Sequence, residues 1–172
     1  MHAMKRVYLL RHAKSSWKVG GVPDHDRPLA PRGRRAASAI AGHLLEQGIE
    51  PELVLCSTAR RARETLERIA PVLGTPVVRL EPGLYGASAG MLLERLRDVG
   101  DVVGSVLLIG HNPAMQLLAL ELAGPAPESL ELGAKFPTAG LATLVFPGPS
   151  WRALAPGTAE LTEFVRPRDL ER

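Results

Sequence analysis

Lys5-Arg6-Val7-Tyr8-Leu9-Leu10, followed at once by Arg11-His12, is the stretch that sets the fold. It is short and apolar and stops at a polar pair, the pattern of a buried strand that delivers its carboxyl end to a site. The pattern recurs twice. Leu53-Val54-Leu55-Cys56 runs into Ser57–Arg63, and Ser105–Ile109 runs into Gly110-His111-Asn112. Helical spacing lies between these strands. In residues 32–47, Ala37, Ile40, Ala41, Leu44 and Leu45 share one face, and Gly48 stops the helix. Ala62, Leu66, Ile69, Ala70 and Leu73 form a second stripe, capped by Ser57 or Thr58 and ended by Gly74. Val77–Leu80 reads as a short strand, and Ser88 caps a helix running to about Val99. Asn112 fits an N-cap, with Pro113 as the first residue of a helix reaching Ala123.

Residues 13–31 show no helical period and carry Gly20-Gly21, Pro23, Pro28 and Pro31, so they read as a long loop. Residues 124–138 read as another loop. Leu141–Phe146 reads as a strand, and Trp151–Leu154 and Leu161–Val165 as further short strands. Strands alternating with helices predict an α/β class: a single three-layer α/β/α domain over residues 4–168. Its central sheet is expected to be mostly parallel, with an antiparallel strand near the C-terminus. Met1–Ala3 is read as an upstream start ahead of the domain.

Composition narrows the class. The chain has 172 residues, 45% apolar and 23% charged, which fits one globular domain and argues against disorder. Cys56 is the only cysteine, so an intramolecular disulfide and a multi-cysteine zinc site are excluded. Strand packing is its expected role. No apolar run reaches the roughly 20 residues needed to span a bilayer. Val7–Leu10 is too short for a signal-peptide core. The expected location is cytoplasmic, with no membrane partner.

The net charge of +3 is unevenly spread. Residues 1–63 hold twelve Lys/Arg against five Asp/Glu, whereas residues 64–172 hold nine against thirteen. A basic half attracts anions. Seventeen arginines against four lysines fit either genome composition or a use for forked donors that match phosphate geometry. With two Trp, two Tyr and three Phe there is little to stack bases on, and no nucleic-acid partner is expected.

The three polar clusters share one topological place, the carboxyl end of a strand. In open α/β sheets that crevice binds ligands. Two of the clusters also open helices, whose N-termini favour anions. Two histidines and at least two arginines are therefore expected to converge on a phosphate, the arginines binding oxygens and an imidazole attacking phosphorus.

Arg11-His12 after a strand, then Ser57-Thr-Ala-Arg-Arg61-Ala62-Arg-Glu-Thr65, then Gly110-His111, resembles the histidine phosphatase superfamily, which includes the phosphoglycerate mutases. Arg11-His-Ala-Lys-Ser-Ser-Trp17 and Asp26-Arg-Pro-Leu29 are similar to the small SixA-type phosphohistidine phosphatases. The resemblance runs from about Lys5 to Val165. It implies that His12 is the nucleophile, Arg11 the adjacent phosphate clamp, Arg61 the arginine of the second motif and His111 the second histidine. Thr58 departs from the proline common at that place, which alters the start of the helix but leaves Arg61 in register. Ser57 and Lys14 are further candidates for substrate binding; Ser57 also reads as a cap. The mechanism so implied is metal-independent hydrolysis through a phosphohistidine intermediate, with no cofactor.

The general acid is open at this level. Glu81, in Glu81-Pro-Gly-Leu-Tyr85, lies roughly where mutase-like relatives place theirs, although the local match is poor. Asp26 is the other candidate; it also reads as an ion-pair partner of Arg27 or Arg32. His25 and His43 carry no assigned role. The partner is expected to be a phosphorylated protein or a small phosphate-containing substrate. The competing reading is a non-catalytic phosphate-binding adaptor, with a basic nucleic-acid binder ranked below it.

Overall fold

The computed structural model describes residues 4–18 and 20–170; Met1–Ala3 lie outside the described residues. Six strands form one sheet: β1 (Met4–Arg11), β2 (Leu53–Ser57), β3 (Val77–Glu81), β4 (Ser105–Gly110), β5 (Leu141–Pro147) and β6 (Glu160–Val165). Their spatial order is β3-β2-β4-β1-β5-β6. β3, β2, β4 and β1 run parallel; β5 is antiparallel to β1, and β6 is antiparallel to β5. β1, β2 and β4 are legible as central strands because they are apolar on both faces, as a sheet covered on both sides requires, whereas the edge strand β3 is largely exposed. In β1, Val7 and Leu9 enter one core, and Tyr8 and Leu10 enter the other.

Helices α1 (Pro31–Glu46) and α2 (Arg60–Ile69) cover the Tyr8–Leu10 face. α3 (Ala89–Arg97) and α4 (Ala114–Ala123) cover the Val7–Leu9 face. Ser88 caps α3 by accepting from the Met91 amide at 3.1 Å. The connection leaving β1 passes through α1 and returns at β2, on one side. The connection leaving β4 passes through α4 and returns at β5, on the other. The chain therefore reverses direction between β1 and β4, and a crevice opens at such a switch point. Arg11 pairs with Gly110 there, so His12 and His111 leave neighbouring strands side by side.

Four details differ from the sequence reading. Trp151–Ala153 is a 3-10 turn rather than a strand, because the fully buried Trp151 is held from both ends. Its amide donates to Asp101 and its indole N–H to the Val103 carbonyl. Residues 124–138 contain a 3-10 turn and a short helix, α5 (Leu130–Ala134), which seats Leu132 and Phe136 in the core. Five residues are too few to show a period. α2 begins at Arg60 with no side-chain cap, while Ser57 Oγ accepts from the Ala59 amide just upstream. α4 begins at Ala114, and Asn112 Oδ1 accepts from the Gln116 amide at 3.3 Å.

The loop between β1 and α1 has a fixed neck. Ser15 and Leu29 form an isolated antiparallel bridge, the Ser16 amide donates to the Pro28 carbonyl, and the Ala30 amide donates to the Lys14 carbonyl. Gly33 of α1 lies against that carbonyl: a Cβ there would sit 2.1 Å from the Lys14 oxygen. No helix among the described residues is long and apolar enough to cross a membrane. The short α6 (Pro167–Leu170) packs on α1.

Candidate active site

The switch point opens into a polar cleft of ≈ 260 Å³, lined by Arg11, His12, Lys14, Ser15, Trp17, Arg27, Arg61, His111, Asn112 and Thr138. β1 delivers Arg11 and His12, α2 delivers Arg61, and the segment after β4 delivers His111.

His12 is buried, and its Nδ1 lies 2.7 Å from the Ala13 carbonyl. A carbonyl only accepts, so Nδ1 carries the proton and Nε2 keeps its lone pair. Burial pulls the His12 pKa from 6.5 to about 3, helped by His111, Arg61 and Arg11, with the Ala13 contact opposing. The Ala13 amide donates to Thr65 Oγ1, and that hydroxyl donates to the Arg61 carbonyl. Thr65 thus ties the segment that holds His12 to the helix that carries Arg61.

The His111 ring lies 5.0 Å from the His12 ring, centre to centre. Its Nε2 is 2.8 Å from Ser57 Oγ. Burial, then Arg61, lowers its pKa to about 4, so His111 is neutral at neutral pH rather than cationic. Met115, Gln116 and Leu117 amides donate to His111, Asn112 and Pro113 oxygens, and Ala62 and Arg63 amides to the Ala59 carbonyl. Three guanidiniums and the Lys14 ammonium supply the cationic side chains of the cleft.

Arg11 Nη1 donates to the Phe136 carbonyl. Arg61 Nη1 donates to the Asp24 carbonyl and Nη2 to its carboxylate, at 2.8 and 3.1 Å. Asp24 also accepts from Arg27 Nε and from the Tyr85 hydroxyl. The Tyr85 hydrogen bond and the arginines lower its pKa to about 2. Yet Arg11 Nε, Arg27 Nη1 and Arg61 Nε are buried with no hydrogen-bond partner among the described residues. Buried donors are nearly always satisfied. Three exceptions around one cleft mark a place built for an acceptor.

Of the residues singled out from sequence, Arg11, His12, Lys14, Arg61 and His111 line this cleft. Ser57 is fully buried behind it, on His111. Asp26 does not line it and pairs with His25 at 3.3 Å rather than with Arg27 or Arg32. Glu81 does not line it either; both its oxygens are held by Arg95, at 2.7 and 2.9 Å. His25 contacts Thr58 Oγ1 and the edge of Tyr85 at the rim, and buried His43 pairs with Glu163. The Cys56 thiol is sealed in β2, and burial pushes its pKa up to about 12. Sequence reasoning missed Asp24, Arg27, Thr65 and Tyr85. Arg27 and Thr65 sat inside the motifs already singled out; Asp24 gave no signal. No group of three His, Cys, Asp or Glu side chains among the described residues is placed to hold a metal ion.

Residues 7–99 match the histidine phosphatase superfamily (branch 1). The chain belongs to that superfamily. It is a phosphatase, and its relatives bracket the class. An uncharacterised protein of Mycobacterium tuberculosis is 42% identical over 92% of this chain and 100% of its own length. The phosphohistidine phosphatase SixA of Escherichia coli is 31% identical over 68% of this chain and 73% of its own. Among solved structures, a SixA from Nakamurella multipartitia superposes with a TM-score of 0.84 at 32% identity, covering 96% of this chain and 97% of that one. The protein histidine phosphatase SixA complexed with tungstate gives 0.79 at 26%, covering 96% and 99%. This histidine phosphatase has the fold of those proteins: one α/β unit with a mixed sheet.

Proposed function

We propose that this phosphatase removes phosphoryl groups from phosphohistidine side chains of proteins, through a covalent intermediate on His12. The observation that carries the reading is one cleft lined by a buried, neutral imidazole and by three arginines that each keep a buried, unpartnered N–H. Such a set suits a tetrahedral oxyanion attacked at its centre.

His12 Nε2 donates its lone pair to phosphorus as the bond to the leaving group breaks. Arg11 and Arg61 balance charge on the phosphoryl oxygens, which is most of what phosphoryl transfer asks of a protein. His111, held at Nε2 by Ser57, offers its other nitrogen as a donor. Water then attacks phosphorus, the P–N bond to His12 breaks, and inorganic phosphate leaves.

Two features favour phosphohistidine over a phosphoester. No Asp or Glu is among the residues lining the cleft, and Asp24, at its edge, stays ionised. An alkoxide leaving group needs an acid; an imidazole leaving group can take its proton from water. Trp17, 76% exposed at the rim, offers a contact for a protein surface.

The test compares a phosphohistidine peptide with an aryl phosphate, in chelator, for wild type and His12→Ala. Peptide turnover that exceeds aryl turnover and vanishes in His12→Ala supports the reading. Phosphate binding without turnover of either would make the chain an adaptor.

A further inference from the structure

The cleft holds a third arginine that the motifs above leave without a task. Arg27 is 8% exposed although it sits in a loop. Its Nε donates to Asp24 Oδ1 at 3.1 Å, and the ring of Trp17 lies over its guanidinium at 3.4 Å. Its Nη1 is buried and unpartnered. A guanidinium held on one edge by a carboxylate, covered on one face by indole and left with a free N–H is oriented for a ligand rather than for the fold. Arg61 shows the same arrangement. Asp24 engages two of its nitrogens and leaves Nε without a partner.

We propose that Arg27 is a third phosphoryl-binding side chain, and that Asp24 is the positioning residue that aims Arg27 and Arg61 together. The proposal rests on the phosphate-site reading above. The charges fit the ligand. Arg11, Arg27, Arg61 and Lys14 outweigh the Asp24 carboxylate, so the cleft keeps a net positive charge for a phosphoryl dianion. The neck of the loop supports the assignment, because the Ser15–Leu29 bridge and the Ser16–Pro28 hydrogen bond fix the chain on both sides of this segment. Tyr85 supports it as well, donating to Asp24 Oδ2 at 2.6 Å. Asp24 acts through the arginines: it does not itself touch the phosphoryl group.

The experiment is calorimetric titration of the full chain with inorganic phosphate, which needs no turnover. Arg27→Gln is expected to weaken phosphate binding by about 10- to 100-fold, the range for losing one charge-assisted contact. Arg27→Lys keeps the charge, loses the fork and should fall between the two; it carries the same test if Arg27→Gln does not fold. Asp24→Asn should weaken binding by about 10-fold, and its effect should shrink but persist in the Arg27→Gln double variant, because Arg61 still loses its aim there. A purely structural Asp24 would instead lower the melting temperature with phosphate affinity unchanged. Arg61→Gln is the control for the underlying reading. If Arg61→Gln weakens phosphate binding while Arg27→Gln and Arg27→Lys bind like wild type, the third-arginine proposal is overturned and the site stands. If wild type binds no phosphate, both fall.

Discussion

Asp24 and Glu81 are two carboxylates gripped by arginine, and they do opposite work. Glu81 and Arg95 form a closed pair, with two oxygens against two nitrogens. The pair raises the Arg95 pKa and leaves neither side chain with an unpaired buried group. Asp24 gathers Arg27, Arg61 and Tyr85, and after all four contacts two of its arginines still hold buried, unpaired N–H groups. An ion pair that closes on itself belongs to the scaffold. One that leaves donors over belongs to a site awaiting an anion.

The comparison can be broken most forcefully at the imidazole that shares the cleft with those arginines. His12→Ala should cut kcat by about 10⁴-fold or more, since a nucleophile's loss removes the covalent route. Residual turnover near wild type would move the chemistry elsewhere. The two carboxylates themselves give the sharper contrast. Asp24→Asn should lower kcat/KM by about 10- to 100-fold through misaimed arginines. Glu81→Gln should leave kcat/KM within about 2-fold and cost no more than about 1 kcal/mol of stability in urea. Equal kinetic losses in the two variants would erase the distinction.

Thr65→Val tests the link between the halves of the site. It strands the Ala13 amide and should cost about 1–3 kcal/mol of stability, with a drop in kcat larger than any change in KM. Acid tests the same centre by its charge. Both cleft histidines are neutral in the folded protein down to about 3 and about 4, whereas the unfolded chain protonates them near 6.5. The unfolded state therefore binds more protons on acidification, and stability should fall between pH 7 and pH 5, by at most about 2 kcal/mol per histidine. His12→Asn should lose the share due to His12, measured by urea unfolding at the two pH values.

The difference between the carboxylates explains what sequence could and could not supply. Arg11, His12 and His111 lie at or just past the ends of apolar strands, and Arg61 is the second residue of a helix that follows another. Strand ends converge by topology alone, so those four were readable. Asp24 and Arg27 reach the cleft only because residues 13–30 fold back on themselves and dock on α1. That path is set by a bridge, two amide contacts and the lack of a side chain at Gly33, none of which has a period. Glu81 was misleading for a related reason. It lies roughly where mutase-like relatives place their acid, but its partner, Arg95, comes from a helix fourteen residues later. The antiparallel β5 and β6 were readable as strands because helices stop interrupting them. The buried Trp151 turn was not, since apolar residues alone do not separate a strand from a turn pinned by its indole.

The pinched neck of the loop divides it into two parts with different freedoms. Between Lys14–Ser16 and Pro28–Ala30 the chain is stapled, and Gly33 admits no larger residue without pushing α1 away from Lys14. Around Gly20-Gly21 nothing crowds the backbone. Residues could be spliced in at that tip while the arginine cluster kept its shape. The fold thus carries a natural grafting point in the loop that supplies Trp17 and Arg27 to the cleft, where a recognition peptide could redirect the enzyme to a chosen protein without rebuilding that cleft.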